Sequence, residues 1–558
     1  MATSVPSIQL DPKEKQVLDL IDEFSKYLRE TRRDQSDLEC RVNGGWVRDK
    51  LLGLPCEDLD VCISSMPGHD FATLLGTYIN EEHSKTSENA ITSTKIAKIQ
   101  ANPHQSKHLE TAKMHILGLE MDFVQLRSEE YAEGPNASRI PSSVRFGTPL
   151  EDALRRDITI NALFYNVHSR KIEDWTEKGL LDLLSKSPSI RTPLDPLQTF
   201  LDDPLRILRC VRFASRFDFP LDASIKPAAE DERVKTALST KVSRERIGVE
   251  LDKMLKARDP IHALRLIDHL SLYTLVFSPV SSFIKLSSPI PPDASKQALL
   301  AGRILKYIIE EAHRRPGLSR IAIPIEDTLV RKRMWLAVTL SPLRKITYTE
   351  KQKTIPLSDT IIRDSVKLPG IERGFVQHIF AAQPKLSDPD PVKFLTSGRE
   401  RERSSIGLLL RDGDVSDALN GLDWRTSVLF SLIIDLLPSW GQDEAAVDRT
   451  IQTYSAFALR VEELQLDRRA FEKSRLDGTE ISTLLATQPG RLTAVLIQRA
   501  IEWQLDNPEG SKGECGTYLK TEWQAGNITI PDSREQTRNA KDVLDKSMNA
   551  NKKRKESM

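Results

Sequence analysis

The chain has 558 residues, 39% of them hydrophobic and 29% charged. At about 100–200 residues per domain, that length implies roughly three to five packed units. Its 80 Lys and Arg are matched by 80 Asp and Glu, a formal net charge of zero. This excludes a protein that coats nucleic acid by bulk positive charge, though not one with a local basic stripe. No uninterrupted apolar run of about 18 residues occurs, so no membrane span is expected. Five cysteines (Cys40, Cys56, Cys62, Cys210, Cys515) include no C-x-x-C pair. That is the usage of a reduced intracellular chain, not of a disulfide framework or zinc ribbon.

The first residues lack the apolar core of a secretory signal, and Asp11 and Glu14 come too early for an Arg-rich, acid-poor transit peptide. Residues 11–33 then predict an amphipathic helix, with Val17, Leu18, Ile21, Phe24 and Leu28 near helical spacing. Two short β-rich runs follow, ECRVNGG and LDVCIS, separated by a helical turn in GWVRDKLLG. A polar stretch over about 79–110 reads as helix plus long loop. MHILG and EMDFVQL offer two more strands. From Asp195 onward strands largely vanish. LDDPLRILRCVRFASRF and SRERIGVELDKMLKA are strong helices, SSPIPPDAS (287–295) is a Pro/Ser linker, and helical stretches run to about 505. The last 28 residues, from Pro531, are polar and read as disordered, ending in the basic cluster NKKRKESM, a candidate nuclear address. The fold class is therefore α+β: a small mixed-sheet head followed by a large all-α remainder.

Asp58 and Asp60 lie two apart on one predicted strand, so both carboxylates share a face. Two like charges that close call for a cation, and hard divalent metals prefer carboxylate oxygen. Alone, such a pair is more often two solvated acids at a strand start. Glu120 and Asp122 share a strand face in the same way. Gly44 and Gly45, at a strand end, permit a tight turn and close approach of backbone N–H to phosphate, with Arg48 and Asp49 one turn into the next helix. By itself this too reads as a plain turn. In RRDITINALFYN, read as helical, Arg156 can offer a fork of donors to triphosphate oxygens, Asp157 can accept from a ribose hydroxyl, and Asn161 can brace Asp157. On the helix predicted for DDPLRILRCVRFASRF, Arg206, Arg209, Arg212 and Arg216 fall within about a 120° arc, while Ile207, Leu208, Val211 and Ala214 take the other side. An arginine face backed by an apolar one predicts that one side packs and the other meets an anion. His104 and His108 have helical ligand spacing but no third partner, so no zinc is expected there.

In combination, NGGWVRDKLLG followed by EDLD resembles the head of the polymerase-β-like nucleotidyltransferases, and specifically the tRNA nucleotidyltransferase and poly(A) polymerase branch. The RRDITINA, IEDW…KGLLDL, DDPLRILRCVRF and SRERIGVEL segments resemble that family's later motifs in order, over about residues 38–260. The overall pattern is similar to the class II CCA-adding enzymes, of eukaryotic, fungal type. The resemblance implies an N-terminal helix over 1–37, a catalytic head over 38–175, a neck with a nucleotide-templating helix over 176–260, an all-α body and tail over 261–530 that holds the tRNA acceptor arm, and a basic C-terminal tail over 531–558.

The resemblance further implies in-line attack of the 3′-hydroxyl of a tRNA lacking CCA on the α-phosphorus of CTP or ATP, with release of pyrophosphate. Asp58 and Asp60 would hold two Mg²⁺ ions, with Asp122 a third carboxylate near them. Gly44, Gly45, Arg48, Arg156, Asp157, Asn161, Arg209 and Arg212 would serve the nucleotide. Asp203 and Arg206 would act as a protein template that hydrogen-bonds the incoming base. The family's Glu stands as Asp202 here, and the segment 128–149 corresponds to its flexible loop. Asp174, Gly179 and Asp182 read as structural, as do Ser243, as an N-cap, and Glu245, Arg246 and Glu250, as braces. No obligate protein partner is implied, and the cytoplasm, nucleus and mitochondrion all suit, with no clear presequence in the sequence. Two other readings stay open: a poly(A) polymerase on the same head, and a non-catalytic RNA-binding protein on a transferase head.

Overall fold

The computed structural model describes residues 6–56, 58–83, 97–99, 111–130, 143–280, 284–387, 401–488 and 490–528. Glu57, most of the 79–110 stretch with His104 and His108, the tip of the 128–149 segment and the basic C-terminal tail lie outside the described residues. The chain divides into two units, Met1–Val276 and Phe277–Met558.

In the first unit, α1 (Pro12–Thr31) opens on a capping box: Asp11 accepts from the backbone of Glu14, and Glu14 reaches back to the Asp11 N–H. Val17, Leu18, Ile21, Phe24 and Leu28 form its buried stripe. Seven strands make one sheet: β1 (Cys40–Asn43), β2 (Asp58–Ile63), β3 (Ala97–Ile99), β4 (Thr111–Ile116), β5 (Leu119–Gln125), β8 (Phe164–Asn166) and β9 (Ile172–Glu173), in spatial order β3-β4-β5-β2-β1-β8-β9. All pairings are antiparallel except β2 with β5. A parallel pair needs a crossover, and α3 (Gly68–Tyr78) supplies its first half. A Cβ on Gly68 would stand 2.1 Å from the Phe123 carbonyl oxygen, so the start of α3 lies directly on β5. Phe71 of α3 meets Phe24 of α1 at 5.2 Å and Phe123 of β5 at 5.5 Å, ring centre to ring centre. That aromatic core fixes the sheet on which the acids stand.

Two short strands outside the sheet, β6 (Arg127–Glu130) and β7 (Ser143–Phe146), pair as an antiparallel ribbon. The ends of the expected flexible loop are therefore ordered, because β6 continues β5 and finds a partner. After α4 (Pro149–Leu154), Arg155–Asp157 and a single 3₁₀ turn, Thr159–Asn161, lead into β8. The RRDITIN segment is thus a turn between helix and strand, not the helix expected for it. Asp157 closes that turn by accepting from the Ile158 N–H and from Asn161.

Helices complete the unit: α5 (Gly179–Leu184), α6 (Pro196–Asp202), α7 (Leu205–Phe217), α8 (Ile225–Glu230), α9 (Glu232–Lys241), α10 (Arg244–Leu255) and α11 (Pro260–His269), followed by the short turn Tyr273–Val276. Both α10 and α11 pack on α7. Ser243 is the N-cap residue of α10, but its side chain makes no capping bond.

Among the described residues of the second unit, helices run between Ala294 and Gln524, and one strand pair departs from the all-α expectation. Thr347–Glu350 and Lys353–Pro356 form a hairpin. Its two turn residues, Lys351 and Gln352, both have positive φ, 47° and 64°. Gly, Asn or Asp normally announces such a turn, and neither residue does. The Pro/Ser segment 287–295 runs into the helix that begins at Ala294.

Candidate active site

The site is built on the parallel pair β2–β5. In their register Asp58 stands opposite Glu120 and Asp60 opposite Asp122. Along β2 the side chains alternate, with Leu59 and Val61 buried and Asp58 and Asp60 accessible. Three expected carboxylates, Asp58, Asp60 and Asp122, are thereby brought to one face. Protein mass crowds Asp60 although solvent reaches it; that burial, reinforced by the charge of Asp122, pushes its carboxyl up to about 6. Burial also raises Asp122, against the pull of Lys113. Lys113 lies opposite Asp122 in the β4–β5 pair, 3.3 Å from it, and also binds Glu120. Its proximity follows from strand register, which sequence spacing alone did not reveal.

The Gly44–Gly45 turn faces these acids. Gly44 has φ +68°, and a Cβ there would sit 3.2 Å from Arg156 Nη1 and 4.0 Å from Asp60 Oδ2. A residue with a side chain would be strained there and would press on Arg156. Helix α2 (Gly45–Leu51) starts from this turn. It is held from behind by Glu14 of α1, which accepts from Trp46 Nε1 at 3.0 Å and Lys50 Nζ at 2.7 Å.

Around this centre the expected nucleotide residues are neighbours, but they are engaged with protein partners. Arg156 gives Nε and Nη2 to Asp152 Oδ2 and Nη1 to the Asn161 carbonyl, so it is not the open fork the sequence suggested. Asp152, unforeseen, is the buried hub of this corner. Burial favours its neutral form, yet Arg155 and Arg156 overcome that and hold it at about 2. Asp157 is likewise not an open acceptor: Oδ1 binds Ile158 N–H and Asn161, and Oδ2 takes Arg209 Nε at 2.8 Å. Here too burial opposes ionisation, and Arg209 and Asn161 prevail, holding the carboxyl at about 2. Asn161 also accepts from Arg48, which binds Asp49 at 2.8 Å.

The arginines of α7 do not form an open stripe. Arg206 and Arg212 are buried, and each of the four has a protein partner. Arg206 donates to the carbonyls of Thr199 and Arg155, Arg209 to Asp157, Arg212 to Glu250, and Arg216 to Asp49. The sequence pattern gave their common face correctly, but it could not show that Glu250 and Asp49 wait there. Asp203 is not on α7; it caps the C-terminus of α6. Arg246 of α10 binds it through two nitrogens, Nη1 at 3.1 Å. Burial would raise Asp203, but Arg246 keeps its carboxyl low. Burial raises Asp202. Among the lesser motif residues, Asp174 accepts from Leu180 N–H, Asp182 accepts from Thr159 Oγ1, and Glu250 takes Arg212.

Chemically, the arrangement offers a carboxylate pair short of positive charge, a glycine turn beside it and a rigid guanidinium–carboxylate lattice behind. Among the described residues, no three His, Cys, Asp or Glu side chains converge closely enough to hold a metal by themselves. The donor set instead suits an ion that takes one or two carboxylates and completes its shell with water and phosphate, the habit of Mg²⁺. No helix among the described residues is long and apolar enough to cross a membrane.

Residues 40–188 match the family model of the poly A polymerase head domain. The mitochondrial CCA tRNA nucleotidyltransferase of Candida glabrata is 36% identical over 541 residues, covering 93% of this chain and 97% of that protein. Its namesake in Saccharomyces cerevisiae is 34% identical, covering 93% and 94%. In fold, the chain is similar to the Bacillus stearothermophilus CCA-adding enzyme solved in complex with CTP, at a TM-score of 0.56 and 17% identity, over 93% of this chain and 99% of that one. With relatives this similar across nearly their whole length, the chain belongs to the CCA tRNA nucleotidyltransferase family.

Proposed function

We propose that the protein completes the 3′ end of tRNA, adding C, C and A from CTP and ATP by nucleotidyl transfer without a nucleic-acid template and releasing pyrophosphate. The observation that carries this reading is the Asp58–Asp60–Asp122 face opposite the Gly44 turn, in a chain that matches CCA tRNA nucleotidyltransferases over 93% of its length.

Asp58 and Asp60 would hold Mg²⁺, which when bound supplies charge neutralisation for the triphosphate and lowers the pKa of the attacking hydroxyl. Asp122 adds to the negative field that draws the cation, and Lys113 keeps that field from becoming prohibitive. The Gly44 N–H is taken by the Leu163 carbonyl, so the backbone N–H groups the turn would offer to phosphate are those that follow it at the start of α2. Arg156, held by Asp152, is the cation beside the turn, and Arg209 is held by Asp157. Asp203 and Arg206, at the α6–α7 junction, are the groups read as discriminating the base. Phosphoryl transfer depends mostly on positioning and electrostatics, so a side-chain base is not required. The helical second unit is read as the seat of the tRNA, recognised through its backbone and shape. A mitochondrial pool belongs to the same reading, since both yeast relatives carry that designation.

The test supplies a tRNA lacking CCA and reads the product base by base. CTP alone should give two additions, ATP alone none on that substrate, and both together CCA and then arrest. A lengthening A tract would favour the poly(A) polymerase reading, and no addition would favour a binding protein.

A further inference from the structure

Phe213 and Phe217 stand one turn apart on α7, their rings parallel within 4° and 6.1 Å between centres. Four guanidiniums lie against them. Arg212 is 3.9 Å, Arg48 5.2 Å and Arg209 5.6 Å from the centre of Phe213. Arg48 is 4.9 Å and Arg216 5.0 Å from the centre of Phe217. Three carboxylates serve these four cations. Asp49 takes Arg48 and Arg216, Asp157 takes Arg209, and Glu250 takes Arg212 and, at 3.7 Å, Arg209. Four guanidiniums thus share three direct carboxylate partners, around a ring that is only 4% exposed. The negative face of an aromatic ring attracts a cation, and more strongly where water is excluded.

Resting on the reading of α7 as the nucleotide-reading helix, we propose that Phe213 is a positioning residue of the nucleotide site. Its ring seats Arg48 of α2 together with Arg209 and Arg212 of α7, and so joins the helix behind the phosphate turn to the helix that reads the base. The direct Arg216–Asp49 ion pair between these helices cannot do this alone, because the Arg216 side chain is 40% exposed and exposed pairs contribute little. An aliphatic side chain would fill the same volume but would remove the ring's attraction, leaving the shared carboxylates alone to hold mutually repelling guanidiniums in place. Shape and ring charge can therefore be separated by experiment.

The experiment uses the full chain with Phe213 replaced by 4-fluoro-, 3,5-difluoro- and 3,4,5-trifluorophenylalanine, which progressively drain the ring face while nearly keeping its shape. Dissociation constants of CTP and ATP are measured by titration without tRNA, beside kcat, KM and the melting temperature. Affinity for both nucleotides should weaken stepwise, by roughly two- to thirty-fold across the series. The change should appear in Kd and KM rather than kcat, at constant melting temperature, and Phe213→Leu should bind at least as weakly as the trifluoro protein. Unchanged affinity across the series overturns the proposal. So does a loss that tracks a falling melting temperature, which would make the ring mere packing. A parent chain that binds neither nucleotide overturns the reading of the site itself, and is seen before any variant is made.

Discussion

At the residue scale the site holds two opposite kinds of carboxylate. Asp152 and Asp157 are buried against arginines and held at about 2. Their stabilising contribution is present above the ordinary carboxylate value of about 4 and is lost as pH falls toward 2. Asp60 is raised to about 6 by burial and the charge of Asp122. Its sign is reversed: the folded state retains a proton the unfolded chain has released, so above about pH 6 the ionised group is a destabilising one. Without Mg²⁺, Asp60→Asn should therefore melt higher than the parent at pH 7.5 and lose that advantage below about pH 4; with Mg²⁺ and both nucleotides it should add neither C nor A. A melting series across pH checks this, and equal melting points at pH 7.5 would contradict it. Asp203 gives a second case. Because Arg246 grips it through two nitrogens, Arg246→Ala should free its carboxylate to turn. Incorporation of UTP or GTP should then rise by about tenfold to a hundredfold relative to CTP and ATP, the equivalent of about 1–3 kcal/mol for a polar group left unpaired. Competition assays with the four nucleotides read it directly.

At the element scale the ribbon of β6 and β7 is the part best placed to change the pocket between C and A. It continues β5, which carries Asp122, and leads into α4, which carries Asp152. Glu129 within it lies 3.4 Å from Arg155, and the carbonyl of Arg155 receives Arg206. Movement of the ribbon would thus reach Arg206, to which the proposed reading assigns the base. A Cβ on Gly147 would stand 2.4 Å from Arg127 backbone carbon and 2.5 Å from Ser128 nitrogen, so Gly147→Ala must push the two strands apart. Addition of both C residues should stay near normal while the terminal A slows by at least about tenfold, since an ångström of misplacement can cost up to about a hundredfold. Rapid-quench measurement of each addition separates the steps, and equal slowing of all three would contradict this role.

What could be read from sequence follows from the range of each interaction. Asp58 and Asp60 were legible because strand alternation needs only two residues. The buried stripe of α1 and the common face of the α7 arginines were legible because helical periodicity is local as well. Partnerships were not: Arg216 meets Asp49 across 167 positions and Arg246 meets Asp203 across 43. An arginine face looks the same in sequence whether it awaits a phosphate or a distant glutamate such as Glu250. The RRDITIN segment read as helix, whereas Asp157 closes it into a turn by accepting from Ile158 N–H and Asn161. The Lys351–Gln352 hairpin was invisible because neither residue signals positive φ.

At the scale of the whole molecule, two units divide between Val276 and Phe277, and every residue assigned to the chemistry lies in the first. The account makes one metal-binding face serve both CTP and ATP, with selection assigned to α6, α7 and the ribbon. Its most direct test follows single-nucleotide products on a tRNA lacking CCA, with both nucleotides present, for the parent and for Asp58→Ala. The parent should stop at CCA, and the variant should add neither C nor A. An Asp58→Ala enzyme that still adds the two C residues, or a parent that runs on past the first A, would contradict it.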